Sequence, residues 1–346
     1  MVKLISIMRK LNFQYQRYAY WLQNRAIILA YHRIADLSTD PQLLAVSPQN
    51  FEQQLDIISN KYVPISLQQL SDNLIQKTIR HKAVVITFDD GYVDNLIYAK
   101  PLLKKYKIPA TIFVITGLIG ENKELWWDEL ERILLLPPKL PKKIILNIRN
   151  QEYSWNLMDD HGSLLNHPEW NVTLSMDIGM RFTMYKDLHK LLRPLVYDER
   201  REILEKIRLM VGVSSEGRDE YRICTNKEIK ELTNDGLIAV GAHTVTHPVL
   251  SNCTTNIQKN EITQSKSSLE NILHDNVNCF SYPYGGAKDI GEYAPMLVKE
   301  AGYSIATGNY TGYVTKKCNR YFLPRFLVRN WNSNIFNKKL QEWFSG

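Results

Sequence analysis

An α/β fold with a mostly parallel sheet or barrel is predicted by three observations. Short β-branched runs alternate with capped helical segments along most of the chain. Several of those runs end in reactive polar residues, as strands of βα barrels do at their carboxyl ends. One long stretch, Gly117 to Gly236, breaks the alternation and is too long for a single crossover, so it reads as an insertion after the third strand.

The elements follow in order. Ala26 to Tyr31, "AIILAY", is a short buried strand, and Ser47 caps a helix whose first residue is Pro48. Ser66 and Gln69 form a capping box for a second helix. Ala83 to Phe88 is the second strand, Ala99 to Tyr106 a helix, and Ala110 to Ile115 the third strand. Within the insertion, "KKIILNIRNQEYSWNL" reads as a hairpin turning near Asn150. A helix there is stopped at Gly212, and Thr225 with Glu228 caps another that ends at Gly236. Strands resume at Leu237 to Ala242, Cys279 to Ser281, Ser304 to Thr307 and Phe326 to Val328, giving about seven core strands. The units are therefore 1–25, a basic amphipathic helix; 26–116 with 237–330, the barrel; 117–236, the insertion; and 331–346, a tail or helix.

Composition narrows the class. With 346 residues and 44% hydrophobic content the chain can bury a large core. No run of about 18 apolar residues suggests a spanning helix, and no secretory signal pattern is evident, so a cytoplasmic protein is expected. Cys224, Cys253, Cys279 and Cys318 are widely spaced and read as free thiols. The net charge of +7 is concentrated in the first 35 residues, where Lys3, Arg9, Lys10, Arg17, Arg25 and Arg33 meet no acid. A nucleic-acid partner, which would need a broad basic face, is not expected. Leu4, Met8, Leu11, Tyr15, Tyr18 and Leu22 form one helical stripe flanked by Lys3, Lys10 and Arg17. That stripe serves either peripheral contact with an anionic membrane surface through residues 1–25 or packing on the protein's own core.

The chemistry gathers at strand ends. The first strand ends in Tyr31-His32-Arg33, the second in Asp89-Asp90-Gly91, the fourth in the "HTVTH" loop, the fifth in "SYPYGG". Adjacent carboxylates after a buried strand call for a solvated turn or a nearby cation. His243 and His247 are spaced so that two imidazoles can hold one ion, and with an acid of the doublet they form a His₂Asp set with open positions, a catalytic pattern.

In "TFDDGY" (Thr87 to Tyr92), "HTVTH" (His243 to His247) and "YPYG" (Tyr282 to Gly285), in that order, the chain resembles polysaccharide deacetylases of the NodB-homology family, carbohydrate esterase family 4. "YHRI" (Tyr31 to Ile34) is similar to a first-strand motif of many bacterial members, and "LWWDELERILL" (Leu125 to Leu135) resembles a subgroup linked to exopolysaccharide and lipopolysaccharide synthesis. The resemblance covers residues 26 to 330 and implies a distorted (β/α)₇ TIM-like barrel that removes N-acetyl, sometimes O-acetyl, groups from a glycan with a divalent metal, usually zinc. It further implies Asp89 as general base, Asp90, His243 and His247 as metal ligands, and the backbone N–H of Tyr284 as oxyanion donor. Tyr282 and Tyr284 either stack on a sugar or pack at their strand end. Trp127, with Trp126, either walls the substrate or builds a small satellite core.

Two departures stand out. Ser281 occupies the place where many members carry an arginine that orients the base, and Arg325 is the candidate substitute. The late Leu-x-x-His that supplies the family's general acid is absent, and His32 is the candidate in its place. The expected activity is N-deacetylation of N-acetylhexosamine in a cell-surface glycan or its lipid-linked precursor. The alternatives are a catalytically weak glycan-binding relative and a same-fold amidase acting on a non-sugar substrate.

Overall fold

The computed structural model describes residues 24–158, 162–174 and 178–345. The expected basic helix over 1–25 lies almost wholly outside the described residues.

Seven strands make the main sheet, numbered here in chain order: β1 Ala26–Tyr31, β2 Ala83–Phe88, β3 Ala110–Val114, β4 Ile238–Ala242, β5 Cys279–Ser281, β6 Ile305–Thr307 and β7 Phe326–Leu327. All pair in parallel, in the spatial order β6-β5-β4-β3-β2-β1-β7, and Val63–Pro64 adds a short rung at the start of β2. Sequence neighbours are thus spatial neighbours, and the sheet curls into a half-barrel. Its two edges do not pair as strands. The segment Arg320 to Leu323 fills the gap instead: Leu323 N–H donates to Ala306 O at 3.0 Å, and Gly308 N–H to Leu323 O at 2.8 Å.

Strand alternation sorts the side chains into two apolar layers. Ile28, Val85, Phe113, Cys279 and Ile305 meet in one cluster, joined by Leu67, Leu70 and Leu74 of helix Leu67–Gln76. Leu29, Ile86, Ile112 and Phe280 belong to the other, beneath the flanking helices. The inner face of β2 therefore runs Val85, Thr87, Asp89, and its last member arrives at the barrel mouth as a charge. Gly241 on β4 faces Phe113, whose ring a Cβ there would meet at 2.5 Å.

The local signals hold. Ser47 accepts from Asn50 N–H, Ser66 and Gln69 close a capping box, and Gly212 ends its helix with φ of 74°. The helix expected from Ala99 begins earlier, with a π turn over Asn95–Ala99 that runs into Lys100–Tyr106. The insertion hairpin pairs Lys143–Ile148 with Gln151–Asn156 around Arg149 and Asn150, both left-handed (φ 51° and 63°), the geometry that matches strand twist in a two-residue turn. Helices α1 Pro48–Lys61, α2 Leu67–Gln76 and α3 Lys100–Tyr106 precede the insertion, in which α5 Met180–Leu192 and α6 Tyr197–Val211 follow the short α4 Trp126–Leu130. The last described element is a helix, Ser333–Ser345. All four cysteines are free.

Helix Asn226–Thr233 starts from Thr225 with Glu228 closing the box, and Arg222 grips the same carboxylate at 2.6 and 2.8 Å. Hydrogen bonds from Arg222 and Thr225 pull Glu228 from 4.5 to about 2, against a smaller effect of burial. A carboxyl depressed on folding stabilises above its unfolded value and loses that contribution as pH falls through the folded one. The melting-temperature gap between wild type and Glu228→Ala should be steady near neutral pH and close between about pH 4.5 and 2; a gap that persists unchanged at pH 2 would contradict this.

Candidate active site

The β1–β2 register pairs Tyr31 with Phe88, and Asp89 N–H donates to Tyr31 O at 2.9 Å, so His32 and Asp89 leave the sheet side by side. Asp90 and Gly91 then both take left-handed conformations (φ 75° and 79°), turning the chain over the barrel mouth. For an aspartate this is a strained state that surrounding contacts must hold. Thr244, His247 and Tyr284 are also left-handed, with φ of 63°, 55° and 59°, so the strain is shared among three strand-end loops that meet here.

The "HTVTH" loop is fixed by partners outside it. Glu261, on helix Thr255–Leu273, accepts from Val245 N–H at 2.7 Å, Thr246 N–H at 2.9 Å and the Thr246 hydroxyl at 2.7 Å. His247 N–H donates to Thr244 Oγ1 at 3.1 Å. Gly117 lies against the same loop, its N–H 2.8 Å from Val245 O, where a Cβ would meet that oxygen at 2.5 Å.

Asp90, His243 and His247 each offer one ligand atom, and the three atoms lie within 4.8 Å of one another. Both imidazole Nε2 atoms face Asp90 Oδ1, at 3.6 Å from His243 and 3.7 Å from His247. Those separations are too long for hydrogen bonds and suit three donors sharing an ion at ~2 Å from each. His243 Nδ1 sits 2.7 Å from Ser281 O, which puts its proton there and leaves the Nε2 lone pair free. Burial holds both imidazoles below their ordinary pKa, hence neutral. Burial, and then the neighbouring Asp89 charge, push the Asp90 carboxyl well above its ordinary value, the condition a bound cation would reverse. The donor set therefore fits a divalent metal.

Asp89 is answered by Arg325. The guanidinium donates to Oδ1 at 2.8 Å and Oδ2 at 2.6 Å, a bidentate pair buried on both sides. It also donates to Thr87 Oγ1 (3.2 Å), Ser281 Oγ (3.1 Å) and Gly308 O (2.7 Å). Burial alone would raise Asp89, but Arg325 overcomes it and leaves the carboxyl well below its usual range. Ser281 thus vacates the room in which the Arg325 side chain lies.

His32, Asp89, Asp90, Trp127, His243, His247, Tyr282 and Tyr284 all line one cavity of about 210 Å³. Burial, partly offset by Asp89, lowers His32 to about 4. Tyr282 has no exposed surface; its ring packs between Phe280 and Phe322, and its hydroxyl donates to Tyr321 O at 2.8 Å, so the sugar-stacking expectation fails for want of a free face. Tyr284 presses its ring against His247, centroids 4.7 Å apart, and its N–H is not spent on a backbone carbonyl. Trp127 meets His247 from another side at 5.0 Å, while its Nε1–H donates to Tyr92 Oη, which in turn donates to Asp128 Oδ2. Trp127 is thus buried in the core and also lines the cavity. The cavity also takes His189 from α5 and Arg193 from the C-cap of that helix, four residues on, with Arg193 paired to Asp289 at 2.6 Å. Neither was singled out in the sequence, nor was Glu261; the only available signal was the four-residue spacing of His189 and Arg193 on an amphipathic helix.

Comparison with known proteins agrees with this architecture. A sequence model described as polysaccharide deacetylase matches residues 76–135 and 209–306. YxkH of Bacillus subtilis is 37% identical over 108 residues, 31% of this chain and 37% of that protein. A poly-β-1,6-N-acetyl-D-glucosamine N-deacetylase of Staphylococcus aureus is 33% identical over 115 residues, 29% of this chain and 39% of that protein. The alignment thus spans well under half the length of these curated relatives. Among solved structures, Streptococcus pyogenes deacetylase PplD in complex with acetate superposes with a TM-score of 0.57 at 20% identity, over 93% of this chain and 99% of that one. IcaB from Ammonifex degensii does so at 0.57 and 18%, over 93% and 98%. These structural likenesses establish the barrel, and the motifs at its mouth together with the matched sequence segments place the chain in the polysaccharide deacetylase family.

Proposed function

We propose that this protein is a metal-dependent N-deacetylase that hydrolyses the acetamide of N-acetylhexosamine units in a cell-surface glycan or its lipid-linked precursor. One observation carries the reading: a buried carboxylate held ionised by Arg325 stands beside a His₂Asp donor set, in a cavity of about 210 Å³. The substrate class is supported by the relative named for deacetylating poly-β-1,6-N-acetyl-D-glucosamine.

Asp90, His243 and His247 would hold the ion, for which this donor set favours zinc. When bound, such an ion polarises an acetyl carbonyl and raises the acidity of water enough for a weak base to deprotonate it. Asp89 is that base: its carboxylate is ionised and oriented, and each oxygen keeps a second lone pair. The unspent N–H of Tyr284 is the donor for the developing oxyanion. His32 is assigned the return of a proton to the leaving amine. At about 4 it is neutral at rest, so it must gain that proton within turnover, from the one Asp89 removes. A protein that merely bound glycan would have no use for a buried, charge-compensated base.

The purified protein should hold about one zinc per chain and release acetate from N-acetylglucosamine oligomers. Asp89→Asn should keep the metal and lose on the order of 10²–10⁴-fold in rate, and His243→Ala should lose the metal. An Asp89→Asn variant as active as wild type would end this assignment.

A further inference from the structure

Four buried side-chain polar atoms without a hydrogen-bond partner gather behind the candidate ligand His247: its own Nδ1, Tyr284 Oη, Arg200 Nη1 and Trp126 Nε1. Arg200, on α6, is 2% exposed; its Nη2 donates to Thr246 O at 3.2 Å, and its guanidinium lies 5.2 Å from the Trp126 ring. Arg200 and Trp126 both approach the Tyr284 hydroxyl, although none of these groups closes a hydrogen bond on it. Tyr284 in turn sits edge-on to His247.

The donor inventory gives this cluster a direction. With Nε2 facing Asp90, the His247 proton must reside on Nδ1, which makes Nδ1 a donor. Arginine and tryptophan side chains donate only. Two of these donors, on Arg200 and Trp126, thus approach a single oxygen, Tyr284 Oη, and the third belongs to the imidazole against which the Tyr284 ring packs. Ligating histidines generally give their second N–H to an outer acceptor that fixes tautomer and ring angle. His243 has such an acceptor in Ser281 O; His247 Nδ1 has none among the described residues, and the hydroxyl of the ring packed against it, Tyr284, is likewise without a partner.

We propose that the Tyr284 hydroxyl, held in place by Arg200 and Trp126, is the outer acceptor that orients His247 for the metal. Arg200 is thereby a positioning residue, and the insertion sets the affinity of a site whose ligands all come from the barrel. This rests on the metal-dependent reading above.

The test measures zinc and cobalt(II) affinity of the purified full chain by chelator competition, alongside melting of the metal-free protein. Tyr284→Phe and Arg200→Met should each weaken binding about 10–100-fold and shift the cobalt(II) absorption bands. Metal-free Tyr284→Phe should melt close to wild type. The double variant should bind no more weakly than the worse single one, since both act through one hydrogen bond. Unchanged affinity in Tyr284→Phe, or fully additive losses in the double variant, would overturn the proposal while leaving the metal site standing; a wild type that binds neither ion would remove the functional reading itself. If Arg200→Met does not fold, Tyr284→Phe alone decides.

Discussion

Arg325→Met should destabilise the protein by about 3–5 kcal/mol and cut acetate release by at least about 100-fold, because it strands a buried carboxylate. Arg325 is 1% exposed and Asp89 3%, so water cannot take over the lost bonds. Burial is the largest influence on Asp89 and raises its pKa; Arg325 is the largest that lowers it. Without the guanidinium the burial effect dominates, and the carboxyl takes up a proton at neutral pH and stops being a base. The sign of the pH dependence follows. Asp89 is depressed in the folded state, so its contribution is complete above the ordinary carboxyl value near 4 and fades as pH falls below it. The stability deficit of Arg325→Met should therefore shrink in acid, as read from urea unfolding at pH 7 and pH 3. Since Arg325 also donates to Ser281, the exchange Ser281→Arg with Arg325→Ser places the cation where many family members carry it. That double variant should recover much of the rate lost in Arg325→Ser alone. Arg325→Met with wild-type activity would show that Asp89 needs no cation.

Why some of this was legible in the sequence and some was not is a matter of range. Asp89-Asp90 and His243…His247 stood out because each follows a short apolar run, and parallel strands in sequential order must deliver such ends to one rim. The caps at Ser47, Ser66 and Thr225 were readable because partner and cap lie within three residues. Arg325 was found by the same strand-end reasoning across more than 230 residues of separation. Tyr282 stayed open between sugar stacking and strand-end packing because a strand-end aromatic looks alike whether its ring meets solvent or, as here, Phe280 and Phe322. Glu261, His189, Arg193 and Arg200 sit on helices whose periodicity says only which face is buried. What each touches is decided by how the insertion and the helix after β4 dock, and no local pattern encodes that.

Of these unheralded residues, Glu261 should matter most. One carboxylate satisfies two backbone N–H groups and a hydroxyl in the loop that carries both histidines. Thr244 and His247 are left-handed, a conformation worth on the order of 1–3 kcal/mol of strain per residue. Hydrogen bonds to a charged acceptor contribute about 1.5–3 kcal/mol each, enough to hold that strain. Glu261→Ala removes all three, so the loop should relax, with stability falling by about 3 kcal/mol or more and metal affinity by more than tenfold. Glu261→Gln is the discriminating variant. Its amide oxygen can still accept from Val245 and Thr246 N–H, and its NH₂ can donate to Thr246 Oγ1, so most of the affinity should survive. Amide exchange at Val245 and Thr246 should rise sharply in the alanine variant and only slightly in the glutamine one. Alanine and glutamine variants that bind zinc equally tightly would show that the barrel fixes the two imidazoles without this carboxylate.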